Sequence, residues 1–516
     1  MSRSTSLTGQ SIWILTAKVI GFGLNVVLPI LIVRFLSQTD FGTYKQAFLF
    51  VGNAVVILPI GFSMSAYYFL NRRPEKRTQT VLNILAFNFL LGGLACVAII
   101  TAPRVVGVIF HNDRLTEHAP LIGLLIWLMI FSGLLEIIPL ANQEARIGSI
   151  LILFTQTTRT LIMVGAVILF GTVEAILYAA ILHALIQVLA LLVYLLKRFA
   201  GFWKSFDRKF FYEQLTYAIP FGLASLVYTS QTDIHNYFVS NNYGPADFAL
   251  YAVGCFQIPL IWAVYESVSA VVIPKMSEFR ANGRIHDMLT LSIQAMQRLA
   301  LVFFPIFFFL EIVAEDFIVT LFTNQYLSSV PIFRINLILL PFICVIVDPV
   351  GRAFPDIGRF LLKLRTIVLI MLVVGLSLLI GRVDLTKIIL FVVCAMLIEL
   401  LATVSRVSKA LEARVDDIRL LKDTGKIALS AIMSAIVFLG LYTIARSPAL
   451  IYCIDSGTWI ARSLGFEIAG ELIGRVVFLV LCFLLFGLIY LAAAIGMDVI
   501  DRETRRRLFS LRSASS

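Results

Sequence analysis

The chain has 516 residues, of which 59% are hydrophobic and only 14% charged, and its mean hydropathy is +0.93. A water-soluble globular domain has no use for so much apolar surface. The net charge of +11 reads as membrane topology, because no soluble basic domain is present to bind nucleic acid.

Apolar runs of about 20 residues predict fourteen spans. They lie near residues 9–33, 42–70, 81–103, 119–141, 148–171, 174–196, 213–239 and 248–274, and then near 293–316, 329–351, 361–381, 385–405, 427–446 and 472–498. The first run is a full span preceded by Arg3 and a polar segment, so a cleavable signal is not expected. The longest hydrophilic stretches, near 197–211 and 406–426, are too short for a folded soluble domain. The expected fold class is an all-α polytopic membrane protein of about fourteen transmembrane helices. Five of the six cysteines fall in apolar spans, and no CxxC or Cys/His spacing suggests a metal or redox site.

Lysine and arginine alternate in density between successive connections. One side, from Arg3 and Arg72 through Lys209 and Lys426 to the tail Arg502–Arg512, holds 29 of them. The other side holds seven: Arg34, Arg104, Arg114, Arg382, Lys387, Arg446 and Arg462. The positive-inside rule makes the first side cytoplasmic, with both termini inside a bacterial-type inner membrane.

Asp40-Phe41-Gly42-Thr43-Tyr44 is echoed 207 positions later by Asp247-Phe248-Ala249-Leu250-Tyr251, each after an odd-numbered span on the outer side. That pattern predicts two parallel repeats of six spans, at 1–212 and 213–426, with an appendage of two spans and a basic tail at 427–516.

The stretch Arg34-Phe35-Leu36-Ser37-Gln38-Thr39-Asp40-Phe41-Gly42-Thr43-Tyr44 resembles the first outer loop of the polysaccharide-biosynthesis, Wzx-type oligosaccharide-lipid flippases. Ser37 stands where glycine is usual in that pattern. Asp233 with Tyr243-Gly244-Pro245-Ala246-Asp247-Phe248-Ala249-Leu250-Tyr251 resembles the corresponding second-half loop, and Ile273-Pro274-Lys275-Met276-Ser277 resembles the end of span eight. These flippases belong to the MOP superfamily with the MATE drug exporters and the lipid II flippases. The similarity covers roughly residues 8 to 445. It implies two six-helix bundles around a central cavity that opens alternately to either side. It also implies a polyprenyl-diphosphate-linked oligosaccharide as cargo, moved from the cytoplasmic to the outer leaflet, with the bilayer, a polysaccharide polymerase and chain-length machinery as partners.

A lipid-linked diphosphate is anionic and its sugar head is wet, so its passage needs a hydrated, cationic path. Lys18 and Asn25 share a helical face in span one, which reads either as cavity lining or as a snorkelling lysine. Span five carries Thr155, Thr158 and Arg159 within six consecutive polar residues. Arg159 matches phosphate oxygens bidentately, or pairs with Glu136 of span four. His183 and Gln187, one turn apart in span six, are either a satisfied core pair or cavity groups. Asp233 in span seven, Glu266 in span eight and Asp348 in span ten, with Glu136 and His183, are candidates for gating or for coupling to H+ or Na+, with a salt bridge or simple hydration as the alternative reading. Arg334, Pro341 and Asp348 form a stripe at steps of seven.

No catalytic residue, metal ligand or cofactor is expected. A GxxxxGK[ST] phosphate loop is lacking, which argues against ATP as the direct energy source. Two alternatives are a cation-coupled drug exporter, whose cavity should be more acidic, and a glycan polymerase or ligase, which should carry a large outer loop. The short outer segments here disfavour the second.

Overall fold

A computed structural model describes residues 20–21, 23–24, 27–204, 206–463 and 470–499. Among them every regular element is helical. The first half contains α1 (residues 27–35), α2 (Gln38–Ile57), α3 (Ser65–Arg72), α4 (Arg77–Thr101), α5 (Arg104–Phe110), α6 (Asp113–Ser132), α7 (Leu134–Ala141), α8 (Ala145–Phe170), α9 (Val173–Arg198) and α10 (Arg208–Asn242). There follow α11 (Pro245–Gly254), α12 (Pro259–Ala281), α13 (Ile285–Phe322), α14 (Val330–Leu337), α15 (Asp348–Ala353), α16 (Pro355–Leu379), α17 (Leu385–Ala410), α18 (Lys422–Ser463) and α19 (Gly470–Gly496).

Among the described residues nine helices are long and apolar enough to cross a membrane, or eleven if two bent pairs each count as one span. Three of the fourteen expected spans stand outside that set. The first falls mostly beyond the described residues. The seventh is α10, with the polar run Thr229 to Asn236, and the ninth is α13, 38 residues long with Arg298, Glu311, Glu315 and Asp316 along it.

Several expected spans are broken. α2 stops at Ile57, and the chain bends by 52° before the segment Phe62–Arg72. Pro59 has no amide to donate, and Gly61 adopts a left-handed φ of 68°. The expected eighth span is divided into α11 and α12. The tenth is divided into α14, a 3₁₀ turn over Leu340–Cys344 and α15. Pro341 and Pro349 each remove a helical donor there. The Arg334–Pro341–Asp348 stripe therefore does not lie on one continuous helix. α18 runs on through Pro448 to Ser463 instead of ending near 446. At 1.5 Å per residue its 42 residues reach about 63 Å, twice the roughly 30 Å hydrocarbon core.

The expected outer loop around Asp40 is instead the start of a helix. Ser37 is the N-cap of α2 and its hydroxyl accepts from the Asp40 amide at 3.1 Å. The Asp40 carboxylate lies in the first turn, where the helix dipole favours it, and it takes Arg114 at 2.6 Å. The echo at Asp247 is likewise in the first turn of α11.

The chain divides into two compact units. The first comprises Met1–Ala252, Phe256–Ala263 and Leu362–Ile388, so it takes in α10 beyond the 1–212 boundary of the first expected lobe. One core of this unit packs Phe62, Leu70, Val81 and Ile84 against Leu134, Leu135, Leu191 and Leu195. The second unit comprises Val253–Cys255, Val264–Leu361 and Ile389–Ser516. Its α18 and α19 form a close hairpin in which Gly457 meets Gly470 and Gly474 backbone to backbone. The hairpin joins α13 through a cluster of Phe309, Phe438, Phe483 and Phe486.

Candidate functional site

The polar run of α8 is the starting point. Thr155, Thr158 and Arg159 stand at helical spacings of three and four, so one face of α8 carries all three. Neighbouring helices of the first unit meet that face with polar groups of their own. Thr155 is 1% exposed, and its hydroxyl lies 3.1 Å from the Glu136 carboxylate of α7 and 2.9 Å from the Ile152 carbonyl. A single hydroxyl proton thus serves two acceptors. The Thr158 hydroxyl lies 3.4 Å from Nδ1 of His183 on α9. One turn further along α9, the Gln187 amide oxygen accepts from Ser132 of α6 at 3.0 Å.

Arg159 sits among these groups, half-buried. Its charge acts on Glu136, on His183 and on Tyr44 of α2. The closed Arg159–Glu136 ion pair, one of the two sequence expectations, does not form. Among the described residues Arg159 makes no ion pair, while Glu136 is engaged by Thr155. A guanidinium within a membrane-spanning bundle carries five donors and a full charge. Held beyond ion-pair distance from Glu136, the guanidinium is placed to meet an anionic ligand.

Five expected site residues therefore come together, Glu136, Thr155, Thr158, Arg159 and His183, while Gln187 one turn along α9 is bonded to Ser132. Residue type alone had assigned Glu136 and His183 to coupling and Thr155, Thr158 and Arg159 to cargo, yet these five lie together. Ser132 and Tyr44 are additions. Tyr44 closes the repeated pentapeptide, which was the available signal for it. Lys18 and Asn25 lie outside the described residues.

Asp233 belongs to a second polar group between α2 and α10. Asn53 faces its carboxylate and donates to the Tyr237 hydroxyl at 3.1 Å, and Asn236 lies 3.4 Å away. Two residues along, His235 is buried against the Tyr251 hydroxyl at 2.8 Å. No hydrogen bond among the described residues links this group to Arg159. Glu266 and Asp348 belong to the second unit, where both are exposed, Glu266 on α12 and Asp348 in the first turn of α15. The second unit also holds a buried charge cluster that sequence reasoning missed. Asp316 of α13, 2% exposed, receives two bonds of 2.9 Å from Arg446 of α18 and a short bond from the Tyr442 hydroxyl. The proximity of Arg446 to a predicted span end had placed it in an outer connection. The extension of α18 makes it a helical residue.

The fold is shared with solved membrane transporters. The chain is similar to a structure described as lipid II flippase MurJ in an inward closed conformation, at 15% identity and TM-score 0.64, covering 94% of this chain and 99% of that one. It is similar to a multidrug resistance MATE family transporter of the MOP superfamily in an inward-facing conformation, at 15% identity and TM-score 0.54, covering 80% and 97%. An outward-facing MATE structure gives 13% identity and TM-score 0.56, covering 78% and 96%. None of the curated proteins compared matches the chain. The family model described as polysaccharide biosynthesis protein matches residues 7–280, more than half of the sequence. A polytopic helical membrane protein with this fold and this match belongs to the polysaccharide biosynthesis protein family.

Proposed function

We propose that the protein moves a polyprenyl-diphosphate-linked oligosaccharide from the cytoplasmic to the outer leaflet by alternating access. The observation that carries this reading is Arg159, a cation on a membrane-spanning helix beside the Thr155 and Thr158 hydroxyls, without an ion-pair partner among the described residues. A diphosphate offers what that guanidinium lacks: paired anionic oxygens in bidentate geometry. Thr155, Thr158 and Gln187 supply further polar contacts, so the head group exchanges water for protein donors and acceptors while the polyprenyl tail stays in the bilayer. Lys18 and Asn25 of span one are further cargo contacts that we propose from the sequence alone.

Glu136, His183 and Asp233, with Glu266 and Asp348 of the second unit, are the proposed sites of coupling to H+ or Na+ or of gating. The membrane is the bacterial-type cytoplasmic membrane with both termini inside, and a polymerase and chain-length machinery take up the product. The reaction is transport, with no bond made or broken.

The test is leaflet accessibility of a lipid-linked oligosaccharide in proteoliposomes. Transfer that depends on the protein, and that falls in Arg159→Ala and Lys18→Ala while both variants stay folded, supports the reading. Full activity in the double variant removes diphosphate recognition from these positions. The second reading, cation-coupled drug export, is favoured by the MATE-like fold. Absence of lipid transfer under either an imposed proton or sodium gradient, together with dye efflux, would establish it instead.

A further inference from the structure

In the first unit, α3 and α10 lie side by side at the end that carries Arg72, Arg73, Lys76, Arg208 and Lys209. Between them is a cleft of about 470 Å³ lined by Tyr68, Phe69, Tyr212, Glu213, Thr216 and Tyr217. Four of the six are aromatic. Tyr68 and Tyr217 stack with ring centroids 4.5 Å apart at 24°, and Phe69 meets Tyr217 edge-on at 5.5 Å. Tyr212 is 54% exposed. The rim is polar: Glu213 is held by Arg73 at 2.6 Å, and the Arg72 guanidinium stands 5.2 Å from the Tyr68 ring centre. Behind the rings, Gln214 bonds Asn83 at 2.7 Å and Ser65 at 3.4 Å, which fixes α10 against α3 and α4. The cleft is therefore preformed.

The lining discriminates among ligand classes. A lipid tail would cover the rings but strand the Glu213–Arg73 pair in hydrocarbon. A phosphate would meet the Glu213 carboxylate. A pyranose satisfies both parts. Its face presents aliphatic C–H bonds to the negative face of an aromatic ring. Its hydroxyls donate to a carboxylate and accept from guanidinium or threonine. We infer that this cleft binds sugar rings of the glycan head group, at the cytoplasmic end of the protein. This rests on the flippase reading and adds a division of labour to it. Arg159 recognises the diphosphate common to all such cargo, and the tyrosine cleft recognises the sugars that distinguish one cargo from another.

The experiment uses full-length protein in proteoliposomes and two probes, a polyprenyl diphosphate bearing an N-acetylglucosamine disaccharide and the same lipid without sugar. The readout is the ratio of transfer rates, glycosylated over bare, at sub-saturating lipid. Tyr68→Ala and Tyr217→Ala should each lower that ratio about fivefold, the effect of losing one stacked ring. Tyr68→Phe and Tyr217→Phe should restore it, because the ring remains. Tyr178→Ala, an exposed tyrosine of α9, is the control. A ratio that the alanine variants leave unaltered, or that phenylalanine fails to rescue, overturns the inference while the flippase reading stands. Failure of the wild type to move either lipid ends the flippase reading, and the cleft is then decided by saturation-transfer NMR with the free disaccharide. Saturation present in the wild type and lost in Tyr217→Ala upholds sugar binding, and absence of saturation in the wild type overturns it.

Discussion

A β-carbon on Gly42 would stand 1.8 Å from the carbonyl oxygen of Pro245. The first turns of α2 and α11, which lead into the two copies of the repeated pentapeptide, touch each other through this glycine. Gln38, one turn before Gly42, donates to the Ala246 carbonyl at 3.4 Å. The second copy has Ala249 where the first has Gly42, so the pair is asymmetric at its closest point.

Gly42→Ala should therefore destabilise the protein by about 1–3 kcal/mol, the usual cost of overpacking, and lower the yield of folded material. Gly52→Ala, on the same helix with nothing within 4 Å of its position, should be neutral. Thermal denaturation in detergent compares the two. Equal midpoints would mean that α2 and α11 separate freely.

Arg159→Lys keeps the charge but loses the bidentate fork. Lipid-linked oligosaccharide transfer should fall about tenfold, the effect of one charge-assisted hydrogen bond, and Arg159→Ala should fall further. Thr155→Val removes the hydroxyl that holds Glu136 and should impair transfer less than either. Initial rates in proteoliposomes give the order. An order with Thr155→Val worst would move the centre of the site to Glu136.

The Asp316–Arg446–Tyr442 cluster fastens α18 to α13. Asp316→Ala takes from Arg446 its buried partner and leaves it only Glu315, at 2.9 Å, and should cost about 2 kcal/mol. Tyr442→Phe removes one hydrogen bond and should cost about 1 kcal/mol. Denaturation midpoints should fall in that order. Identical midpoints for the two variants would show that the ion pair adds nothing beyond the hydroxyl.

Asp207 caps α10 from outside the spans. The Phe210 amide at 3.0 Å and the Lys76 ammonium at 3.2 Å hold its carboxyl below the usual 3.8. A group whose folded pKa lies below its unfolded one stabilises the fold fully above the unfolded value, and that contribution is lost as pH falls through the folded value. Wild type should be more stable than Asp207→Asn at neutral pH, and the two midpoints should converge below pH 3.8. A constant gap across that range would exclude ionisation as the cause.

Much of this organisation is legible in the amino-acid order. Hydrocarbon thickness forces apolar runs of fixed length, and charge cannot cross it freely, so hydropathy marked out the spans. The same rule singled out Thr155, Thr158 and Arg159, because six polar residues in a row inside a span cannot all face lipid. Helix breaks were less legible. Pro59 and Pro341 were visible, but a proline alone does not reveal whether a span bends or stops; Gly61 against Gly222 decides the first case. The length of α18 was hidden, because its continuation past Pro448 depends on the glycine contacts with α19.

What the sequence by itself determined is a polytopic helical membrane protein with a repeated start motif and a cationic, hydroxylated stretch in span five. Those properties follow from solvent exclusion, which acts on each residue in its own segment. Only the tertiary structure decided that Glu136 and His183 join that stretch, that Arg159 is not paired with Glu136, and that four aromatic rings meet between α3 and α10. These depend on which helix faces turn toward one another, a choice made by close packing between segments far apart in the chain.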